Sequence, residues 1–309
     1  MHKLWKQALL ALSVSGLLLA QESQWKDRAE YDLVQEIQKA ADPAKRLPLL
    51  QQWEEKYPDS KFAGPRLQAI LTTFQAMGNA QGMKDTALKM IKFDAKSADG
   101  YQWVCLLTES MQAKDAAVLA DGEKACKSLL DVLPSQTKPA QVNDQQWTAI
   151  QKDREASAHR VLGYINFTGS KYPEAVEAYE KSLSVNPNQA GVNLQAATSI
   201  LRQKNPDKQA LALYHYARAA TLPGTPQQGA LADAAKQQAM SFFKKNYVLL
   251  RGDESGMQEF LDSTKNSPVP PPGTEIEDVK AAMIKRKNAL AQTNPQLYLW
   301  LNVKENLVG

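Results

Sequence analysis

Ala156 to Gln189 reads ASAHRVLGYINFTGSKYPEAVEAYEKSLSVNPNQ. Two apolar patterns at helical spacing lie in it. The first is Ala158, Val161, Leu162 and Ile165; the second is Ala175, Val176, Tyr179 and Leu183. Gly169 and Ser170 separate them. Asn186-Pro187 closes the second, because proline pushes the residue before it out of the helical region. The spacing therefore predicts a hairpin of two short helices, and one such hairpin cannot cover its own apolar face. Neighbouring hairpins can, so the fold turns on whether the pattern recurs.

It does recur. Trp25 to Lys39 is amphipathic, with Ala29, Leu33, Val34 and Ile37 on one side, and Asp42-Pro43 breaks it. A second helix is expected from Leu47 to Tyr57, with Pro48 in its first turn, where a missing N–H costs little. A further hairpin spans 64–97. Leu67, Ile70, Leu71 and Phe74 mark its first helix, Gly78-Asn79 its turn, and Met83, Ala87, Met90 and Ile91 its second helix. Another begins near Ala98 with Tyr101, Val104, Cys105 and Thr108, and its second helix runs from Ala116 to Val132. The segment 134–143 reads as an exposed insertion before a long helix starting near Gln145. After the quoted unit comes a fifth, 191–224. Leu194, Ala197 and Ile200 mark its first helix, Asn205-Pro206-Asp207 the turn, and Ala210, Leu213, Tyr214 and Ala217 the second.

The quoted unit is 34 residues long and resembles a tetratricopeptide (TPR) repeat. The family's packing positions fall on Leu162, Gly163, Ala175, Tyr179 and Pro187. Asn166 departs where an aromatic is usual, and Ser182 where alanine is usual. The resemblance implies an all-α fold: a right-handed α-solenoid of about five helical hairpins over 25–224. Capping helices are expected at 225–266, with Ser255-x-x-Gln258 as a capping box. A Pro-rich linker at 267–273 and a C-terminal helical segment at 274–309 follow, the latter with a second capping box at Thr274 and Glu277. Within that segment Leu297 to Leu307 fits a helix, though Leu297, Leu299, Leu301 and Val303 also alternate as a strand would.

Composition agrees with a helical, globular chain. Hydrophobic content is 43% and charged content 23%, and the formal net charge is +4. Lys285-Arg286-Lys287 is the one basic cluster and reads as a solvated helix face, so no nucleic-acid partner is expected. His2, Lys3 and Lys6 precede an apolar stretch ending at Ala20, with 15 residues between Lys6 and Glu22. That is a secretory signal pattern, shorter than the roughly 20 residues of a spanning helix. Residues 1–20 are therefore expected to direct export to the periplasm or beyond. An uncleaved anchor is the alternative, and it is the one membrane attachment expected. Export permits a disulfide between Cys105 and Cys126. The favoured reading of the two cysteines is instead a pair of small buried residues.

No nucleophile elbow, phosphate-binding loop, dinucleotide fingerprint or zinc-helix pattern is present. His159 and His215 have no metal-spaced partner, and Glu54-Glu55 and Glu174/Glu177 read as solvated carboxylates. No enzyme, cofactor or metal is expected. The resemblance points elsewhere, to the inner faces of the first helices of the hairpins, where TPR arrays hold extended peptides. Those positions fall on Ser157, Arg160, Tyr164, Phe167 and Thr168 in the quoted unit. They include Gln102, Leu106 and Glu109 in the unit before the insertion, and Gln195, Ser199, Arg202 and Gln203 in the fifth. Arg160 and Arg202 can pair carboxylates, and Tyr164 and Phe167 can bury a ligand side chain, unless Phe167 belongs to the core. The Lys/Asn set that clamps chain termini in chaperone-binding relatives is absent. The expected function is a non-enzymatic protein- or peptide-binding scaffold of the bacterial cell envelope. The alternative is self-assembly through the C-terminal apolar segment, and an envelope enzyme with a repeat platform ranks third.

Overall fold

The computed structural model describes residues 25–205, 208–222, 233–267 and 279–308. The expected signal segment 1–20, the turn at Pro206, the stop at Pro223-Gly224, most of the Pro-rich stretch and the Thr274/Glu277 box lie outside the described residues. The described residues form fourteen α-helices and one 3-10 turn, with no strand among them. The fold is all-α. The chain divides into two compact units, 1–169 and 170–309.

The first unit holds α1 (Arg28–Lys39), α2 (Pro43–Lys56), α3 (Ala63–Ala76), α4 (Ala80–Phe93), α5 (Ala98–Ser110), α6 (Ala116–Val132) and α7 (Asp144–Thr168). Each packs on its neighbour in sequence, and α7 also packs on α5. Helix α1 starts later than its apolar pattern. The Asp27 side chain accepts from the Glu30 N–H at 2.8 Å and fixes the cap there. Trp25 instead folds into the core against Trp53 and Phe62. Helix α2 starts earlier than expected. Asp42 caps it by accepting from the Ala44 N–H, and Pro43 takes the first helical position. The Asp-Pro pair expected to end one helix therefore begins the next, α1 having already stopped at Lys39 with Ala40 as its cap. Pro48 is consequently an interior proline, not a first-turn one.

Gly78 turns the chain between α3 and α4 at φ +68°, a conformation costly to any residue with a Cβ. Ser97 and Asp115 cap α5 and α6 through the N–H groups of Gly100 and of Ala117 and Val118. Helices α5 and α6 meet closely at Gly122, where an added Cβ would lie 2.3 Å from Thr108 Oγ1. Cys105 and Cys126 lie in the same pair of helices and are joined by a disulfide, with Cα atoms 5.0 Å apart. Both are buried, as two small core residues would be, but they are bridged and not merely packed. The insertion is largely open to solvent, but Val142 is buried and Gln136 is half-buried, donating to the Lys96 carbonyl at 3.1 Å. A capping box formed by Asn143 and Gln146 then starts α7.

The second unit holds α8 (Tyr172–Val185), α9 (Ala190–Arg202), α10 (Gln209–Thr221), α11 (Asp233–Arg251), α12 (Met257–Asn266), α13 (Val279–Thr293) and α14 (Pro295–Val308). Helices α8 to α11 pack in order, α12 lies on α10, α13 on α11 and α14 on α13. Leu213, Ala217, Phe243, Tyr247 and Leu261 form the main core. The expected capping box at Ser255 does not form. Ser255 Oγ donates to Asp253, and Gly256, at φ +75°, occupies the cap position of α12. Helix α11 runs to Arg251. Leu297 to Leu307 is helical, not a strand, because Pro295 opens α14 and Asn294 Oδ1 accepts from the Leu297 N–H.

Candidate functional site

Arg160 donates to Glu109, and Arg154 donates to Asp99. Tyr164 Oη donates to the Ala113 carbonyl at 3.0 Å. The partners ascend together along both segments, so α5 and α7 run in the same direction. On α5, Asp99, Gln102, Leu106 and Glu109 follow helical spacing along one side, and that side faces α7. Gln102 is therefore only 7% exposed, within the seam and not on an open groove. Leu106 is half-buried and packs on the core. The outer rim remains reachable: the Arg160 side chain is 31% exposed and that of Asp99 40%. Ser157, Phe167 and Thr168 are half-buried along α7.

Asp153 completes this side of the first unit. Burial raises its carboxyl above the usual range, while Arg160 and Arg154 pull it back down. Three carboxylates and two guanidiniums thus share one helix pair. Sequence spacing concealed this, because the acids on α5 and the residues at 153–160 are about fifty positions apart.

Among the fifth-unit positions, Ser199 is fully buried and donates to the Gln195 carbonyl at 2.8 Å. Gln195 Oε1 accepts from Tyr179 Oη at 2.5 Å, and Gln203 accepts from Lys208 at 2.8 Å. Arg202 faces solvent at the end of α9. It lies in the second unit, and the Arg160, Tyr164 and Phe167 set lies in the first, so each set stands on its own.

The remaining candidates have structural surroundings. His215 is buried, with Nδ1 3.0 Å from Asn193 Oδ1. Asn193 spends its amide N–H on the Gln189 carbonyl, so its oxygen accepts and His215 Nδ1 carries the proton. Burial, and then the neighbouring Arg218, lower the imidazole pKa to about 3. His159 is half-buried on α7. Among the described residues no group of three or more His, Cys, Asp or Glu is placed to hold a metal ion. Glu54 pairs with Lys89 and Glu177 with Lys181. A recess in the second unit, lined by Leu201, Gln209, Ala212, Leu213, Tyr216 and Asn246, has room for about one water molecule and not for a small-molecule ligand.

Two buried arginines that the sequence reading did not single out hold helix ends through their guanidiniums. Arg66 donates to the carbonyls of Trp53 at 3.2 Å and Tyr57 at 2.8 Å, closing the C-terminal end of α2. Arg218 donates to the carbonyls of Thr264 at 2.6 Å, Ser267 at 2.7 Å and Pro187 at 2.9 Å. Each is the lone charged side chain of its helix, a signal present in the sequence. Comparison of the chain with protein-family models, with curated proteins and with solved structures finds no match.

Proposed function

We propose that the chain is a non-enzymatic TPR-like scaffold that binds a protein or peptide segment along the α5–α7 rim of its first unit, in the cell envelope. The hairpins of each unit build, in this reading, a stretch of right-handed α-solenoid. Helices of 13 and 14 residues in α3, α4, α5, α8, α9 and α10 support it. So does the shared direction of α5 and α7 within the first unit.

The observation that carries the binding role is the Arg160–Glu109 pair beside Tyr164. A guanidinium already held in place loses little side-chain entropy when a ligand carboxylate joins it or displaces Glu109. Glu109 and Asp99 offer the converse site to a ligand amine. The half-buried Trp103 and Leu106 add apolar area beside them. The disulfide supports the compartment, since such bonds persist where the environment is oxidising. Export itself rests on the pattern of residues 1–20.

Crosslinking in the native cells, followed by mass spectrometry, tests this reading. Crosslinks from a different protein to 157–168 are expected. Arg160→Ala combined with Tyr164→Ala should abolish them while the far-UV spectrum stays helical. Unchanged crosslinks in that variant would remove the rim from the binding site.

A further inference from the structure

Helix α14 leaves open a face that its own unit does not cover. Leu297, Leu299, Trp300 and Val303 are four of the eleven exposed large hydrophobic residues among those described, and all lie on this one helix. At about 100° per residue they fall within an arc of about 160°. Tyr298, Leu301 and Asn302, half-buried, take the other side, and α13 packs on the helix. A helix apolar on both sides is normally buried on both. Here one side has a partner and the other has none within the unit. Ile284 on α13 adds a further exposed apolar side chain.

Charge decides what would cover it. Residues 279–309 contain Lys280, Lys285, Arg286, Lys287 and Lys304 against Glu305 alone, a net of +4. Glu275, Glu277 and Asp278 lie just ahead of it, so the positive charge belongs to the helical hairpin itself. A second copy would bring the same positive charge and be repelled. An anionic surface satisfies both features. Trp300 and Lys304 give the arrangement expected at a water–lipid boundary: the Lys304 ammonium lies 5.1 Å from the indole centroid, on a side chain long enough to reach headgroup phosphates while its stem stays apolar. No helix among the described residues is long and apolar enough to cross a membrane, so the contact would lie along the surface. We propose that the α13–α14 hairpin seats on an anionic lipid bilayer. Leu297, Leu299, Trp300 and Val303 enter the boundary between headgroups and acyl chains, and the basic residues of the segment attract the lipid phosphates.

Co-sedimentation of the full chain with vesicles tests this. One set is phosphatidylcholine alone; the other contains about one third phosphatidylglycerol. Binding is expected on the anionic set and to weaken several-fold between about 0.05 M and about 0.5 M salt. Trp300→Ser with Val303→Ser should weaken it by about tenfold or more. Replacing Lys285, Arg286 and Lys287 together by Gln should cost about fivefold per charge removed. An unchanged far-UV spectrum in both variants shows that folding is retained. Equal binding to neutral and anionic vesicles, or unchanged binding in either variant, overturns the proposal. So does a lipid-free dimer that Trp300→Ser dissociates, since a second copy would then be the occupant.

Discussion

Arg66 in the first unit and Arg218 in the second do the same job under different conditions. Each sits on a helix with no other charged residue, and each spends its guanidinium on backbone carbonyls at the ends of helices packed around it. Burial lowers the pKa of both side chains. Arg66 serves one helix end and has company: its guanidinium lies 5.5 Å from the Trp53 ring centroid, and buried Glu30 accepts from Trp53 Nε1 at 2.8 Å. Further along the same unit, the Cys105–Cys126 bridge ties α5 to α6. Arg218 joins three stretches of chain at once, the loop after α8, its own helix and the end of α12. The second unit contains no cysteine. The first unit distributes its ties, and the second gathers them on one side chain.

The sharpest way to break that comparison is Arg218→Met. It removes a donor from the carbonyls of Thr264, Lys265 and Pro187, while the Ser267 carbonyl keeps Tyr214 Oη, and an unmatched buried acceptor costs about 1–3 kcal/mol. A loss of about 3–5 kcal/mol is expected, confined to the second unit, from several buried acceptors left without a donor at once. Arg66→Met should cost less, about 1–2 kcal/mol, because its two carbonyls, those of Trp53 and Tyr57, keep the N–H groups of Tyr57 and Ser60 as donors. Hydrogen exchange read by mass spectrometry across a urea series assigns each loss to its unit. Equal losses would mean that the convergence on Arg218 carries no extra stability.

The bridge comes next. Cys105→Ala with Cys126→Ala frees a loop with a sequence separation of 21, and closure entropy for such a loop is about 3 kcal/mol. The loss should appear in the first unit alone, and reductant should reproduce it in the unmodified chain. Exchange protection that falls equally in both units would show that they do not unfold separately.

Acid should separate the units in a different way. The His215 pKa falls from 6.5 to about 3 on folding. Between those values the unfolded chain binds a proton there that the folded chain does not. Stability of the second unit is therefore full above about pH 6.5 and declines as pH falls, by about 2–3 kcal/mol at about pH 4.5. Asp153 in the first unit and Glu180 in the second have the opposite sign. Burial raises both, so each contributes stability as pH falls, and Glu180, raised from 4.5, offsets part of the His215 loss in the second unit. Over the interval from about pH 6.5 to about 4.5 the falling component is that of His215. His215→Gln keeps a donor for Asn193 and should flatten the stability of the second unit across it, with the first unit unchanged. A slope that survives the substitution would place the titrating group elsewhere.

Much of the fold was legible because local signals agreed. Asp115 and the Pro134 stop bracket α6, and the Gly78-Asn79 turn lies where a left-handed residue was needed. Legibility failed where one residue serves two structures or where a competing partner wins. Asp42-Pro43 looked like a break because a capping residue followed by proline reads the same whether a helix stops or starts there, and here it only starts α2. Ser255 matched a capping pattern, yet its hydroxyl finds Asp253 two residues away before it can reach the helix. The candidate site was less legible still. Family positions named Gln102, but the α7 seam that buries it lies about fifty residues on in sequence. The unused signal was the solitary charge. Arg66 and Arg218 each interrupt an uncharged helix at an interior position, where a buried cation needs a cluster of carbonyls. Arg202 is also alone in its helix, but as the last residue it reaches water.

The smallest expected effect on stability sharpens the distinction between holding the fold and binding a partner. The Arg160–Glu109 pair lies at the rim of its seam, with the arginine 31% and the glutamate 17% exposed. A pair so placed is partly screened, and a double-mutant cycle of Arg160→Ala and Glu109→Ala should give about 1 kcal/mol or less. Added salt should reduce that coupling further, whereas the Arg218 and disulfide effects should barely respond. If the pair exists to present a guanidinium, its removal should be mild in a melt and severe in partner capture. A coupling of about 3 kcal/mol or more would instead make Arg160 a third structural arginine, equivalent to Arg66, and would leave the rim without the group that recommends it.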